Sequence, residues 1–384
     1  MQVKRRCFER ARSMRVGAVA ATFTVVINAL VAQTLTWLGT SDNQASIARG
    51  VSADGTVVIG TTYSPYDEPF AYRWTAVGGI KFLGSLPGAP SYNVARGVSA
   101  DGLVIVGWAE SPTRTNRAFR WTVSGGMQDL GTLGGLSSFA HAVSSDGRVV
   151  VGAAQNPSGH NRAFRWTASG GMQDLGTLGG NHSWAFGVSA DGSVVVGRSD
   201  TADGFGRAFR WTAQGGMQNI DTIGGLSSVS VSVSANGNVV VGWARNRDQN
   251  RRAFRWTAAT GMQELGTLGG NESHAYGVSA DGNIVVGWAS DANGRAHAFR
   301  WTASRGMEDL NRVYSQLLTD GSELWSAEAI SPDGRYIVGN GYNAATRRME
   351  AFLLDTKPAG DVTNDGCVND TDLLTVLFNF GRER

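Results

Sequence analysis

The chain is 384 residues long, 42% hydrophobic and 17% charged, with 34 basic against 32 acidic residues, two cysteines and 52 glycines. Six of the basic residues and one acidic residue lie before residue 33, so the remainder carries 28 basic against 31 acidic side chains, which excludes a general basic surface for nucleic acid. Cys7 and Cys367 stand at opposite ends; a chain cut after residue 32 has no intrachain disulfide and must draw its stability from the core that about 350 residues can bury.

At the start, Lys4, Arg5, Arg6, Arg10, Arg12 and Arg15 precede an apolar run over residues 16–32 that closes on Ala29-Leu30-Val31-Ala32. This is the layout of a secretory signal peptide over residues 1–32, and it predicts a protein that is secreted or held at the cell surface. An uncleaved anchor is the alternative, because the run approaches the roughly 20 residues that span a bilayer; Asn28 and the small-residue end favour cleavage. No later segment is long and apolar enough to form a membrane-spanning helix.

From residue 33 the chain repeats itself. The Asp or Asn of a V-S-x-D-G turn recurs at Asp54, Asp101, Asp146, Asp191, Asn236, Asp281 and Asp333, at spacings of 45 to 52 residues. In the third unit, residues 139–144, 149–152, 163–167 and 172–175 form four short runs rich in β-branched and aromatic residues, parted by Asp146-Gly147 and Ser169-Gly170-Gly171. Four strands per unit are predicted, with tight turns where glycine supplies positive φ, and no helix before the tail. One such unit cannot bury both faces, so neighbours must stack; seven units of about 45 residues predict an all-β, seven-bladed β-propeller over residues 33–356. The last unit lacks a fourth strand after Phe352-Leu353-Leu354, whereas Leu35-Thr36-Trp37-Leu38-Gly39-Thr40 resembles one. Residues 34–40 are therefore expected to complete the last blade and close the ring, an exchange that a straight β-solenoid would not need.

The triplet His297-Ala298-Phe299 with Arg300-Trp301, the recurring G-T-L-G-G of residues 176–180, and Asp309-Leu310-Asn311 before a longer insertion are similar to the HAF repeats of bacterial extracellular proteins. The resemblance implies export and a repeat scaffold and carries no activity with it. Most other units read Arg-Ala-Phe or Phe-Ala-Tyr at the triplet, so histidine is not a required ligand there.

The turn aspartates read as turn formers, since each sits beside a glycine in a hairpin. The Arg of the third-strand Phe-Arg-Trp triplet is expected to pair across the strand with Asp129, Asp174 or Glu264. Neither a zinc spacing, a G-x-S-x-G elbow nor a phosphate loop is present. One position does vary from unit to unit in an otherwise regular strand: Arg49, Arg96, His141, Phe186, Val231, Tyr276 and Glu328, two residues before each Val-Ser or Ile-Ser pair. Strand alternation puts them on one face near the start of the innermost strand, so they are the candidate ligand-binding set at the mouth of the central channel. Relaxed selection would leave the same trace.

After Lys357 the composition changes. Asp361, Thr363, Asp365 and Asp372 stand at positions 1, 3, 5 and 12 of a calcium loop, with the Cys367 carbonyl at 7, Asn369 at 9 and Gly366 at the bend. Residues 357–384 resemble half of a type I dockerin, which implies calcium as cofactor and a cohesin-like receptor as partner; Thr363 departs from the usual Asn or Asp, and only one copy is present. The expected function is a non-catalytic extracellular scaffold whose variable loop face meets a polysaccharide or a protein. The alternatives are a carbohydrate-active hydrolase, which needs two converging carboxylates in the channel, and an envelope assembly protein.

Overall fold

The computed structural model describes residues 33–40 and 44–357; residues 1–32, 41–43 and 358–384 lie outside them, and with them the signal-peptide and calcium-loop readings, Asp361, Thr363, Asp365, Cys367, Asn369 and Asp372 included. Each repeat folds as four antiparallel strands. In blade three, Ser138–Val143 pairs with Val150–Gln155, which pairs with Asn161–Thr167 and that with Gly171–Asp174. The Asp-Gly turn between the first two strands is held from inside. Ser144 Oγ donates to Asp146 Oδ1 (2.6 Å) and accepts from Val149 N (2.9 Å), while Asp146 Oδ1 also accepts from Arg148 N (3.0 Å). A hydroxyl with no exposure is thereby satisfied, as buried polar groups must be.

Gly147 completes that turn at φ +72°. A Cβ there would lie 2.5 Å from Val104 Cγ2 of the preceding blade, so neighbour packing as well as backbone conformation demands glycine. The blades are welded by apolar surface: each of seven core clusters is built from two consecutive sheets, for example Val149, Val151, Ala163 and Leu175 of blade three with Ala185, Val195 and Phe209 of blade four. The third-strand aromatic of every blade is fully buried there: Tyr72, Phe119, Phe164, Phe209, Phe254, Phe299 and Phe352. The innermost strands follow one another around the ring, and the last, Glu323–Ile330, neighbours the first, Ser46–Val51. The fold is a seven-bladed β-propeller.

Closure uses the expected exchange. Thr34–Trp37 is the outer strand of blade seven, beside Arg348–Asp355. Leu38 N donates to Ala351 O (2.9 Å), and Ser46 Oγ accepts from Ala351 N (2.9 Å) while donating to Gly39 O (2.7 Å). Ser183 makes the same pair of bonds, to Ala163 N and Gly176 O, at an ordinary junction. Closure thus repeats the chemistry of the other joints. A belt of backbone bonds also links successive Asp-Gly turns, from Ala53 N to Ala100 O and onward to Ala280 N and Pro332 O. Pro332 has no N–H to donate, so the belt stops between blades seven and one.

Two expectations need correction. A short helix, Leu310–Val313, and a 3-10 turn, Ser315–Leu317, occupy the insertion of blade six, with Asn311 N donating to Asp309 Oδ1 as a cap; four residues are too few to show helical periodicity. The Phe-Arg-Trp arginine does not pair with Asp129, Asp174 or Glu264, which Arg117, Arg162 and Arg252 take instead; only in blade six, among the described residues, does it meet a fourth-strand acid across the strand, Arg300 Nη2 lying 3.0 Å from Glu308 Oε2. Asp174 faces Phe164, and Arg162 reaches it diagonally (3.1 Å), whereas Arg165 Nε donates to Gly192 O (3.1 Å) in the next blade's turn. His297 takes the place of Arg162 in blade six, its Nδ1 2.8 Å from Asp309 Oδ2. The connections between second and third strands are short, residues 156–160 in blade three and 246–250 in blade five; the loops of the variable face differ in sequence rather than in reach.

Candidate ligand site in the central channel

All seven variable residues line one cavity of about 460 Å³, enclosed by the innermost strands. Alternation alone does not put them there. In every innermost strand the pairing register skips this one residue, so that Ala140 and Ala142 pair with Gly152 and Val151 while His141 is left over. The same bulge falls at Arg49, Arg96, Phe186, Val231, Tyr276 and Glu328. A bulged residue is released from the ladder and its side chain re-aimed, which frees the position to vary without disturbing the sheet. The small residue that follows has its own cause: a Cβ on Gly187 would come within 2.9 Å of Val231 O on the next inner strand.

Around the ring the chemistry is uneven. Arg49 Nη1 and Glu328 Oε2 form an ion pair at 2.5 Å, and Glu328 Oε1 accepts from Ser326 Oγ at 2.7 Å. Arg96 is next. Its Nε is buried, and among the described residues its guanidinium has neither a hydrogen-bond nor an ion-pair partner, while part of the side chain remains open to the cavity. Burial, and then the Arg49 charge, lower its pKa from the usual value, yet a guanidinium stays protonated at any physiological pH. His141 is pushed down to about 3 by burial and then by Arg96, so it is neutral. The opposite arc is apolar. Phe186 lies 5.1 Å from the His141 ring, Val231 follows, and Tyr276 Oη accepts from Trp288 Nε1 at 3.0 Å. Burial and then Glu328 raise the Tyr276 pKa, which keeps its O–H available as a donor.

A second tier, toward the variable loops, was not singled out from the sequence. A cavity of about 520 Å³ is walled by Phe139, Trp184, Val229 and Trp243 with Arg198, and it shares His141, Phe186 and Val231 with the ring below. Phe139, Trp184 and Val229 stand two residues before the bulges, and Trp243 and Arg198 pair with Val229 and Trp184 from the second strands. The same unit-to-unit comparison, moved two residues upstream, carries the signal. Arg198 lies over the Trp184 ring at 5.3 Å, and His274 stacks on Trp288 at 4.9 Å. Among the described residues no three acidic, His or Cys side chains group as a metal site, and no helix is long and apolar enough to cross a membrane.

Fold and site together define a seven-bladed propeller with a mixed cationic and aromatic channel. Neither a family model nor a curated protein matches the chain. Among solved structures it is similar to the β-propeller domain of the trilobed protease from Pyrococcus furiosus, with 10% identity, a TM-score of 0.50, and 85% of this chain and 96% of that one covered. That domain is described as having an open velcro topology, whereas here Thr34–Trp37 joins the last blade. TolB from Acinetobacter baumannii matches with 14% identity and a TM-score of 0.48 over 80% of this chain and 65% of that one, so the chain spans just under two thirds of TolB's length. A putative TolB from Agrobacterium tumefaciens matches with 14% identity and a TM-score of 0.47, covering 71% and 92%. At such identities the likeness is one of fold.

Proposed function

We propose that the chain is an exported, non-catalytic interaction scaffold that meets a protein or a polysaccharide on its variable face and through the channel mouth. The observation that carries this reading is the bulge set: one released side chain per blade, all but two different in kind, converging on one cavity. Its one acidic member, Glu328, is tied to Arg49 and Ser326, and no second carboxylate lines the cavity among the described residues. A glycosidase needs two. Exposed Tyr66, Leu136, Phe205 and Leu226 on the loops of the same side add apolar contact area, whereas Val77, Leu103 and Val123 sit singly on the tight turns opposite. Export rests on residues 1–32, and the HAF-like repeats agree with it. Calcium at Asp361, Thr363, Asp365, Cys367, Asn369 and Asp372, and attachment to a cohesin-like receptor, rest on the dockerin-like spacing.

The test pairs a glycan array of the purified protein with photo-cross-linkers at Tyr66, Leu136 and Leu226 on one face and at Leu103 on the other. Binding without glycan cleavage, with cross-links on the first three, is expected. Cross-links concentrated at Leu103, or released sugar, would overturn the reading.

A further inference from the structure

The two cavities share three side chains, so a ligand that enters from the variable face between Phe139, Trp184 and Trp243 descends onto the bulge ring at His141, Phe186 and Val231. What it meets there is decided by charge. Of the ring's charged members Glu328 cancels Arg49, and His141 is neutral, which leaves Arg96 as one uncompensated cation without a partner among the described residues. A buried donor with no acceptor is costly, and a planar guanidinium is matched best by a carboxylate fork. One net positive charge fits a monoanion better than a phosphate dianion. Past His141 and across the channel from Arg96 the wall turns apolar and aromatic, so the group carrying that charge needs an apolar body.

We propose that the channel recognises a carboxylate borne on an aromatic or aliphatic body, with the carboxylate on Arg96 and the body against Phe186, Val231 and the aromatic tier above. Two sources share this chemistry, a free organic acid and the C-terminal end of a peptide. The inference rests on reading the ring as a ligand site. It does not need the outer loops.

Calorimetric titration of the full chain tests it with 4-phenylbutyrate against 4-phenylbutyramide, and with a tripeptide ending in Phe as free acid against its C-terminal amide. The acid, the free-ended peptide or both should bind, each at least about tenfold more tightly than its amide, and Arg96→Gln should remove about tenfold or more of that affinity while Arg96→Lys retains part of it. The peptide binding alone assigns the ligand to a chain end; the free acid binding assigns it to the shared chemistry. Glu328→Gln, which frees Arg49, should shift preference toward the dianion phenylsuccinate. As a readout apart from binding, Arg96→Gln should melt no lower than the wild type without ligand, because it removes an unpaired buried charge. Equal binding of acids and amides, an unaffected Arg96→Gln, or no heat from any probe at millimolar concentration overturns the carboxylate site. Cross-linking at Tyr66, Leu136 and Leu226 would persist in that case, so the scaffold reading would fail separately.

Discussion

At the residue scale, one serine, one aspartate and one glycine recur in nearly every blade, and each has a distinct duty. The serine hydroxyl holds the turn aspartate, which lowers the carboxyl pKa of Asp54, Asp101 and Asp146, and that of Asp191 to about 2. A depressed folded-state pKa contributes stability that is present above the unfolded value of about 4 and is lost as pH falls through the folded value. The melting temperature should therefore hold steady above pH 5 or so and fall between about pH 4 and pH 2. Asp191→Asn, copying the Asn236 that stands in blade five, should flatten part of that acid limb; an acid limb identical to wild type would refute the serine–aspartate origin. Gly147→Ala places a side chain at φ +72° and against Val104, and should cost on the order of 1–3 kcal/mol in chemical denaturation. Phe164→Ala, which empties a fully buried site between blades, should cost about 3–5 kcal/mol.

At the element scale, the innermost strand carries both the ring's construction and its variability. Its ends are tied by the serine bonds and the Asp-Gly turn, and the bulge between them is a place, common to all seven blades, where the ladder makes no demand on the side chain. The outer strand of blade seven decides closure. Deletion of residues 34–40 strips the pairing partner from Arg348–Asp355 and exposes its edge, so the variant should aggregate or melt far below wild type. An unchanged melting temperature would rule out a closed ring. Ser46→Ala is the milder counterpart: it leaves Ala351 N without its acceptor, at a cost of about 1–3 kcal/mol. Because Pro332 interrupts the belt of turn-to-turn bonds at this same joint, blades seven and one should be the first to separate, with amide exchange fastest there.

At the scale of the whole molecule, the calcium-loop proposal expects any calcium response to come from residues 361–372. On that proposal, a site with four aspartates at positions 361, 365, 370 and 372 and Thr363 at position 3 should bind calcium weakly, in a range of about 10⁻⁴ to 10⁻³ M. Calorimetry of the full chain and of Asp361→Ala checks this: heat in the first and none in the second is expected, and no heat from either at millimolar calcium would show the site to be misread. The repeat count, the four strands, the turn glycines and the displaced closing strand were legible in the sequence, because each follows from local chemistry repeated at a fixed period. So was the unit-to-unit variation at Arg49, Arg96, His141, Phe186, Val231, Tyr276 and Glu328, since variation against a constant background is itself a sequence property. What only the tertiary structure decided is how those side chains are aimed and paired. The Arg49–Glu328 pair that leaves Arg96 alone, the reach of Arg165 into the next blade and the meeting of side chains from three blades in one cavity above the channel all depend on which blades lie side by side around the ring. Such contacts join residues far apart along the chain, and local pattern carries no record of them.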